Sequence, residues 1–243
     1  MGRWFHERFY VASTDGNISV RLGPQCILTS PTGISKGMMS PANLVVTDLD
    51  GKKVSGDGNP SSEMPMHTVI YRRRPDVNAI CHAHPPTATA YAAAGLPLNR
   101  AMLAELVVSL GSIPVAPYGT PGTSELTQSI EPLLENHDAI LLANHGVVTY
   151  GPDLLTAFFR METTEHFARV ALATELIGRQ VLLSGDDVAK LLAIRARYAA
   201  QTSAAPGTPS LVTSGADPER ITLTRGELDA LIEEAVQKDR SRR

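Results

Sequence analysis

Apolar and polar positions alternate over residues 18–22, Ile-Ser-Val-Arg-Leu, after the turn Asp15-Gly16-Asn17. That is the period of a half-buried strand. Residues 26–29 read as its partner strand, ending in the turn Ser30-Pro31-Thr32-Gly33, and residues 44–48 as another strand, closed by Asp50-Gly51. Ser61-Ser62-Glu63 opens a helix. Pro65 sits in its first turn, where a missing N–H costs nothing, and Pro75 stops it after Arg74. A strand over 77–82 follows, then a short Ala-rich helix over 87–94 halted by Gly95. Residues 125–135 are expected to be helical, 139–143 a strand, 153–177 a long helix, and 191–198 part of a last core helix. No internal repeat is visible.

The pattern changes near residue 200. Residues 201–220 are rich in Ser, Thr, Ala, Gly and Pro and read as a flexible linker. Beyond it, Thr224-Arg225-Gly226-Glu227 fits a capping box, with Thr224 as N-cap and Glu227 at the third helical position. Leu228, Leu231, Ile232, Ala235 and Val236 then form a helical stripe, and residues 240–243 are a basic cluster. The expected organisation is a catalytic domain over 1–200, a linker over 201–220 and an amphipathic helix over 221–243. So short a helix is marginal alone and needs a partner surface.

With 243 residues, the chain can bury one substantial core plus this appendage. A net charge of −3 argues against nucleic-acid binding as the main function. Arg72-Arg73-Arg74 reads as a solvated helix end. Cys26 and Cys81 have no motif spacing, which suits a reducing compartment. No apolar stretch is long enough to span a bilayer, and the N-terminus lacks a signal core, so the expected location is the cytoplasm.

The chemistry concentrates on three histidines. His82 and His84 are two apart in an extended segment, which puts both imidazoles on one face. His145 follows the apolar run 139–143 and can close the set from a neighbouring strand end. Three neutral imidazoles with one open position are the ligand set of a catalytic zinc. Glu63, in a loop-to-helix turn, is a candidate acid/base. Ser61 and Ser62 beside it, at a helix N-terminus, suit a phosphate, as do the turns Gly16-Asn17 and Thr32-Gly33. His67, on the helix after Glu63, reads as a packing or hydrogen-bonding residue. None of the lysines stands out as a Schiff-base nucleophile.

Taken in order, Gly16-Asn17-Ile18-Ser19, Ser30-Pro31-Thr32-Gly33, Ser61-Ser62-Glu63, His82-Ala83-His84-Pro85 and Asn144-His145-Gly146 closely resemble the class II aldolase/adducin family, over about residues 5–200. The resemblance implies an α/β fold, a three-layer α/β/α domain around a mostly antiparallel sheet, assembled as a homotetramer with active sites near subunit interfaces. It implies one Zn2+ per subunit on His82, His84 and His145. By similarity to the fuculose-phosphate aldolases of that family, Asn17, Thr32, Gly33, Ser61 and Ser62 would hold a substrate phosphate and Glu63 would be the acid/base. The reaction implied is cleavage of a ketose 1-phosphate of the L-fuculose or L-rhamnulose type to dihydroxyacetone phosphate and L-lactaldehyde. Related ribulose-phosphate 4-epimerases usually have Asp at the place of Glu63. One position departs from the pattern: where fuculose-phosphate aldolases carry a Tyr that helps protonate the alkoxide, this chain has Leu103. Other reactions through the same enediolate stay open (epimerisation, methylthioribulose-phosphate dehydration or aldol cleavage, decarboxylation), as does a non-catalytic adducin-like scaffold. The tail resembles the peptides that route enzymes into bacterial microcompartments, which implies a shell protein as its partner; packing back on its own tetramer is the alternative.

Overall fold

The computed structural model describes residues 1–202 and 209–214. The elements run α1 (Gly2–Glu7), β1 (Asn17–Arg21), β2 (Cys26–Thr29), β3 (Val45–Asp48), β4 (Lys53–Ser55), α2 (Met64–Arg73), β5 (Ala79–Ala83), α3 (Pro86–Ala94), α4 (Ala104–Ser109), β6 (Val115–Ala116), α5 (Ser124–Ile130), β7 (Ala139–Leu142), β8 (Gly146–Gly151), α6 (Leu154–Ile177) and α7 (Gly185–Thr202). The eight strands form one sheet in the order β4-β3-β2-β1-β5-β8-β7-β6. Every neighbouring pair is antiparallel except β6 with β7.

Strand side chains alternate between faces, so the central strands feed two cores. Ala79, Cys81 and Ala83 of β5, with Leu141 and Val147, meet Phe5, Tyr91, Phe158 and Phe167 from α1, α3 and α6. Ile80, Ile140, Leu142, Val148 and Tyr150 meet Met66, Ile70, Leu126 and Ile130 from α2 and α5 on the other face. The result is the expected three-layer α/β/α arrangement. The central strands β5, β7 and β8 are buried along their whole length. Such strands read as apolar runs without alternation; the run in β8 is only Val147-Val148, and glycines bracket the strand, so β8 is not evident in the sequence. Asp153 caps α6 by accepting the Thr156 N–H at 2.8 Å, and Gly178 ends it in the left-handed conformation at φ 78°.

Two expectations are corrected. Arg74 is not solvated: its side chain is 8% exposed and pairs with Asp76 at 2.7 Å and Asp138 at 2.9 Å. It also donates to the Leu134 carbonyl at 2.8 Å. Arg72 and Arg73 are exposed, paired with Asp50 and Glu131. Secondly, part of the stretch read as a flexible linker lies against the body. Val212 donates to the Asn99 carbonyl and accepts from the Ala101 N–H, and the Ser214 N–H reaches the Leu183 carbonyl. Leu211 packs beside Leu183, Leu191 and Leu192. These two leucine-valine positions carry the only large apolar side chains between residues 202 and 220, enough to seat the segment. The helix expected over 221–243 lies outside the described residues. No helix among the described residues is long and apolar enough to cross a membrane.

Candidate metal centre and active site

The site forms where β1, β5 and the β7–β8 turn meet the start of α2. His82 is the fourth residue of β5, cross-strand from Asn17 on β1 and from Val148 on β8. His84 lies just past the strand, with its N–H on the Tyr10 carbonyl at 2.8 Å. His145 sits in the tight turn between β7 and β8, after Asn144 at φ 56°. Gly146 lets that turn close, because a Cβ there would strike His84 Cδ2 at 2.4 Å.

One ring nitrogen from each of His82, His84 and His145 lies within 4.8 Å of the others. The Nε2 atoms of His82 and His84 are 3.2 Å apart. Two ligands about 2.05 Å from a tetrahedral zinc stand about 3.3 Å apart, so the spacing fits such an ion. His82 Nδ1 faces the Val147 carbonyl at 2.9 Å, which fixes the tautomer with Nε2 free to ligate. His145 Nδ1 and Glu63 Oε1 are buried without a hydrogen-bond partner. The donor set and these orphaned atoms fit a divalent cation.

Glu63 is the N-cap residue of α2. Its carboxylate spans the histidines, with Oε2 3.2 Å from His82 Nε2 and Oε1 3.2 Å from His145 Nε2. Asn17 Nδ2 donates to Oε2 at 2.7 Å. Burial works to raise the Glu63 carboxyl, but the charge of His82 and the close approach of the His145 and His82 rings outweigh it and hold the group well below the ordinary carboxylate range. His84 is pushed down to about 4 by burial and by the charges of His82 and His145. An ionised carboxylate beside an imidazole cluster can accept a proton from a carbon acid and return it.

A model of the class II aldolase and adducin N-terminal domain matches residues 1–172. The chain belongs to this family. It is 37% identical over 174 residues to a 3-oxo-tetronate 4-phosphate decarboxylase of Haemophilus influenzae, covering 70% of this chain and 82% of that protein. It is 34% identical over 169 residues to an L-fuculose phosphate aldolase of Methanococcus maripaludis, covering 69% and 90%. Among solved structures, an L-fuculose 1-phosphate aldolase superposes with a TM-score of 0.73 at 33% identity, covering 79% of this chain and 91% of that one. Membership makes this class II aldolase-like chain a lyase whose family relatives act on sugar phosphates.

The other expected residues fall around the same centre. Pro31 bridges to Pro60, and the Thr32 N–H reaches the Asn59 carbonyl at 2.9 Å, so the turn carrying Thr32 and Gly33 abuts the loop leading to Ser61 and Ser62. Thr32, Gly33 and Ser62 are exposed, and Ser61 Oγ accepts the Glu63 N–H at 3.2 Å. Asn17 differs: it is buried, with its carboxamide between Glu63 and His67 rather than open to solvent. Leu103 packs against the first core. His67 is the buried, hydrogen-bonding residue expected from the sequence. Its partners, Asn17 and Ser19, come from β1, and nothing in its local sequence names them.

Proposed function

We propose that this chain is a zinc-dependent class II aldolase that cleaves a ketose 1-phosphate, of the L-fuculose or L-rhamnulose 1-phosphate type, to dihydroxyacetone phosphate and an aldehyde such as L-lactaldehyde. The observation that carries the reading is a single carboxylate, Glu63, 3.2 Å from two members of a histidine trio and clamped by Asn17. Zinc held by His82, His84 and His145 would supply Lewis-acid stabilisation of negative charge on the substrate oxygens. Breaking the C3–C4 bond leaves the electron pair on the dihydroxyacetone phosphate fragment as an enediolate, while the C4 hydroxyl becomes the aldehyde carbonyl and releases its proton to water. Glu63 delivers the proton that quenches it at C3, and takes that proton in the reverse direction. Thr32, Gly33, Ser61 and Ser62 offer hydroxyls and backbone N–H groups for the phosphate, with Asn17 beside them. The active unit is proposed to be a homotetramer in the cytoplasm. The segment 221–243 is proposed to bind a microcompartment shell protein, a role that fails if deleting residues 205–243 leaves localisation in the native host unchanged.

Leu103 favours a second reading. Aldol cleavage must remove a proton from the C4 hydroxyl, and a leucine cannot help. Loss of CO2 from a 3-oxo-tetronate 4-phosphate needs no such group, and it yields the same enediolate. The test is a panel of fuculose, rhamnulose, ribulose and methylthioribulose 1-phosphates with 3-oxo-tetronate 4-phosphate, run with and without chelator and beside Glu63→Gln. Chelator-sensitive release of dihydroxyacetone phosphate with an aldehyde supports the aldolase. Release with CO2 replaces it by the decarboxylase. No release from a metal-loaded enzyme overturns both.

A further inference from the structure

A chain of buried polar groups runs away from Glu63 through Asn17, and its members beyond Asn17 are assigned no role by the chemistry above. Asn17 Nδ2 meets Glu63 Oε2 at 2.7 Å, and Asn17 Oδ1 meets His67 Nε2 at 2.5 Å. His67 Nδ1 meets Ser19 Oγ at 2.6 Å, and Ser19 Oγ meets Tyr71 OH at 2.9 Å. His67 is fully buried, and Ser19 and Tyr71 are nearly so.

The order of the hydrogen bonds starts at Asn17, which donates its Nδ2–H to Glu63 Oε2 and so presents its oxygen to His67 Nε2. His67 Nε2 must therefore carry a proton and donate it. Burial, with the charge of His82, holds the ring down to about 3 against the smaller pull of Glu63, so His67 is neutral near pH 7. Its Nδ1 then has only a lone pair and accepts from the Ser19 hydroxyl. The Ser19 oxygen in turn accepts from Tyr71. No member of the chain can reverse without leaving a buried polar atom unpaired.

We propose that His67 is a positioning residue: its Nε2–H fixes which way the Asn17 carboxamide faces and so keeps an N–H donor on the Glu63 carboxylate. The proposal rests on the reading of Glu63 as the acid/base. It adds that β1 and α2 are tied at the reacting group through one imidazole.

The kinetic test is a double-mutant cycle with His67→Phe and Asn17→Ala on whichever substrate the panel identifies. In the parent, His67→Phe should lower kcat about 10- to 100-fold, the scale of lost supporting contacts at such sites. In the Asn17→Ala background it should cost less than about twofold, because the residue it acts through is gone. His67→Gln, which can present an amide N–H at the place of Nε2, should stay within about threefold of the parent. Additive losses, or an unimpaired His67→Phe enzyme that melts like the parent, overturn the proposal. A second measurement stands apart from activity: long-range 1H–15N spectra of the full-length protein at pH 7 should show His67 as the neutral Nε2–H tautomer. Finding the Nδ1–H tautomer or the imidazolium overturns the positioning role even if the substrate reading survives. Finding the Nε2–H tautomer in an enzyme inert on the whole panel supports the hydrogen-bond order and locates the failure in the substrate reading.

Discussion

A methyl group added at Gly146 would meet His84 Cδ2 at 2.4 Å and the Ala83 carbonyl oxygen at 2.7 Å. Carbon atoms in ordinary contact stand about 3.5–4.0 Å apart, so the His84 ring has to retreat by about 1 Å or the strands have to part. Gly146 is not in the left-handed region, so Gly146→Ala is a steric change without backbone strain. Ligand distances in a metal site tolerate about 0.2 Å, so a displacement five times larger takes His84 out of the set. Disturbing groups behind a ligand costs about 10- to 100-fold in affinity. Losing a ligand should therefore weaken zinc binding more than 100-fold. Overpacking adds about 1–3 kcal/mol of instability. At about 2–4 °C per kcal/mol for a chain of this size, the metal-free protein should melt about 2–12 °C lower. Competition with a fluorescent chelator gives the affinity, and calorimetry of the metal-free protein gives the shift. A Gly146→Ala protein that binds zinc within about threefold of the parent would refute the assignment of His84 as a ligand.

Three other outcomes follow. Glu63→Gln should lower turnover by about 10²- to 10⁴-fold while the protein still binds metal, read by steady-state kinetics and a metal titration. Asp138→Asn leaves Arg74 and Arg160, both 2.9 Å away, without their shared buried carboxylate. It should cost about 3–5 kcal/mol in urea unfolding, and a loss below about 1 kcal/mol would show the cluster to be dispensable. His67 makes stability fall in mild acid. Its folded value, about 3, lies below the usual 6.5, so between those pH values the unfolded chain binds a proton that the native one does not. Stability is therefore full above about pH 6.5 and declines as the pH falls toward 3, by about 2 kcal/mol between pH 7 and 5 from this residue alone. His67→Gln should lack that component in denaturant melts at the two pH values.

Much of the site is legible in the sequence because its histidines and Glu63 lie in short local motifs. The pair His82 and His84 declares a strand face, and Glu63 declares the start of α2. Toward one edge of the sheet, β2 and β3 alternate buried and half-buried positions and so keep the two-residue period. What stays hidden depends on contacts distant in sequence. The strand over Gly146–Gly151 is buried on both faces and shows no alternation. Arg74 looks like the end of a solvated charge run until Asp138, brought in by the sheet, stands beside it. The short helices Gly2–Glu7 and Ala104–Ser109 are held by packing rather than by strong propensity or caps. Asn17 reads as a turn residue facing an anion, but its place opposite His82 in the ladder turns its carboxamide onto Glu63.

The central claim is that the histidine trio and Glu63 together take and return a proton at the carbon next to the dihydroxyacetone phosphate carbonyl. The direct measurement is proton NMR of dihydroxyacetone phosphate in D2O with zinc-loaded enzyme and no second substrate. The account predicts stereospecific loss of one of the two hydroxymethyl hydrogens, abolished by chelator and by Glu63→Gln. That result holds whether the physiological co-product is an aldehyde or CO2. No exchange by fully loaded enzyme, or exchange that Glu63→Gln leaves unchanged, would contradict it.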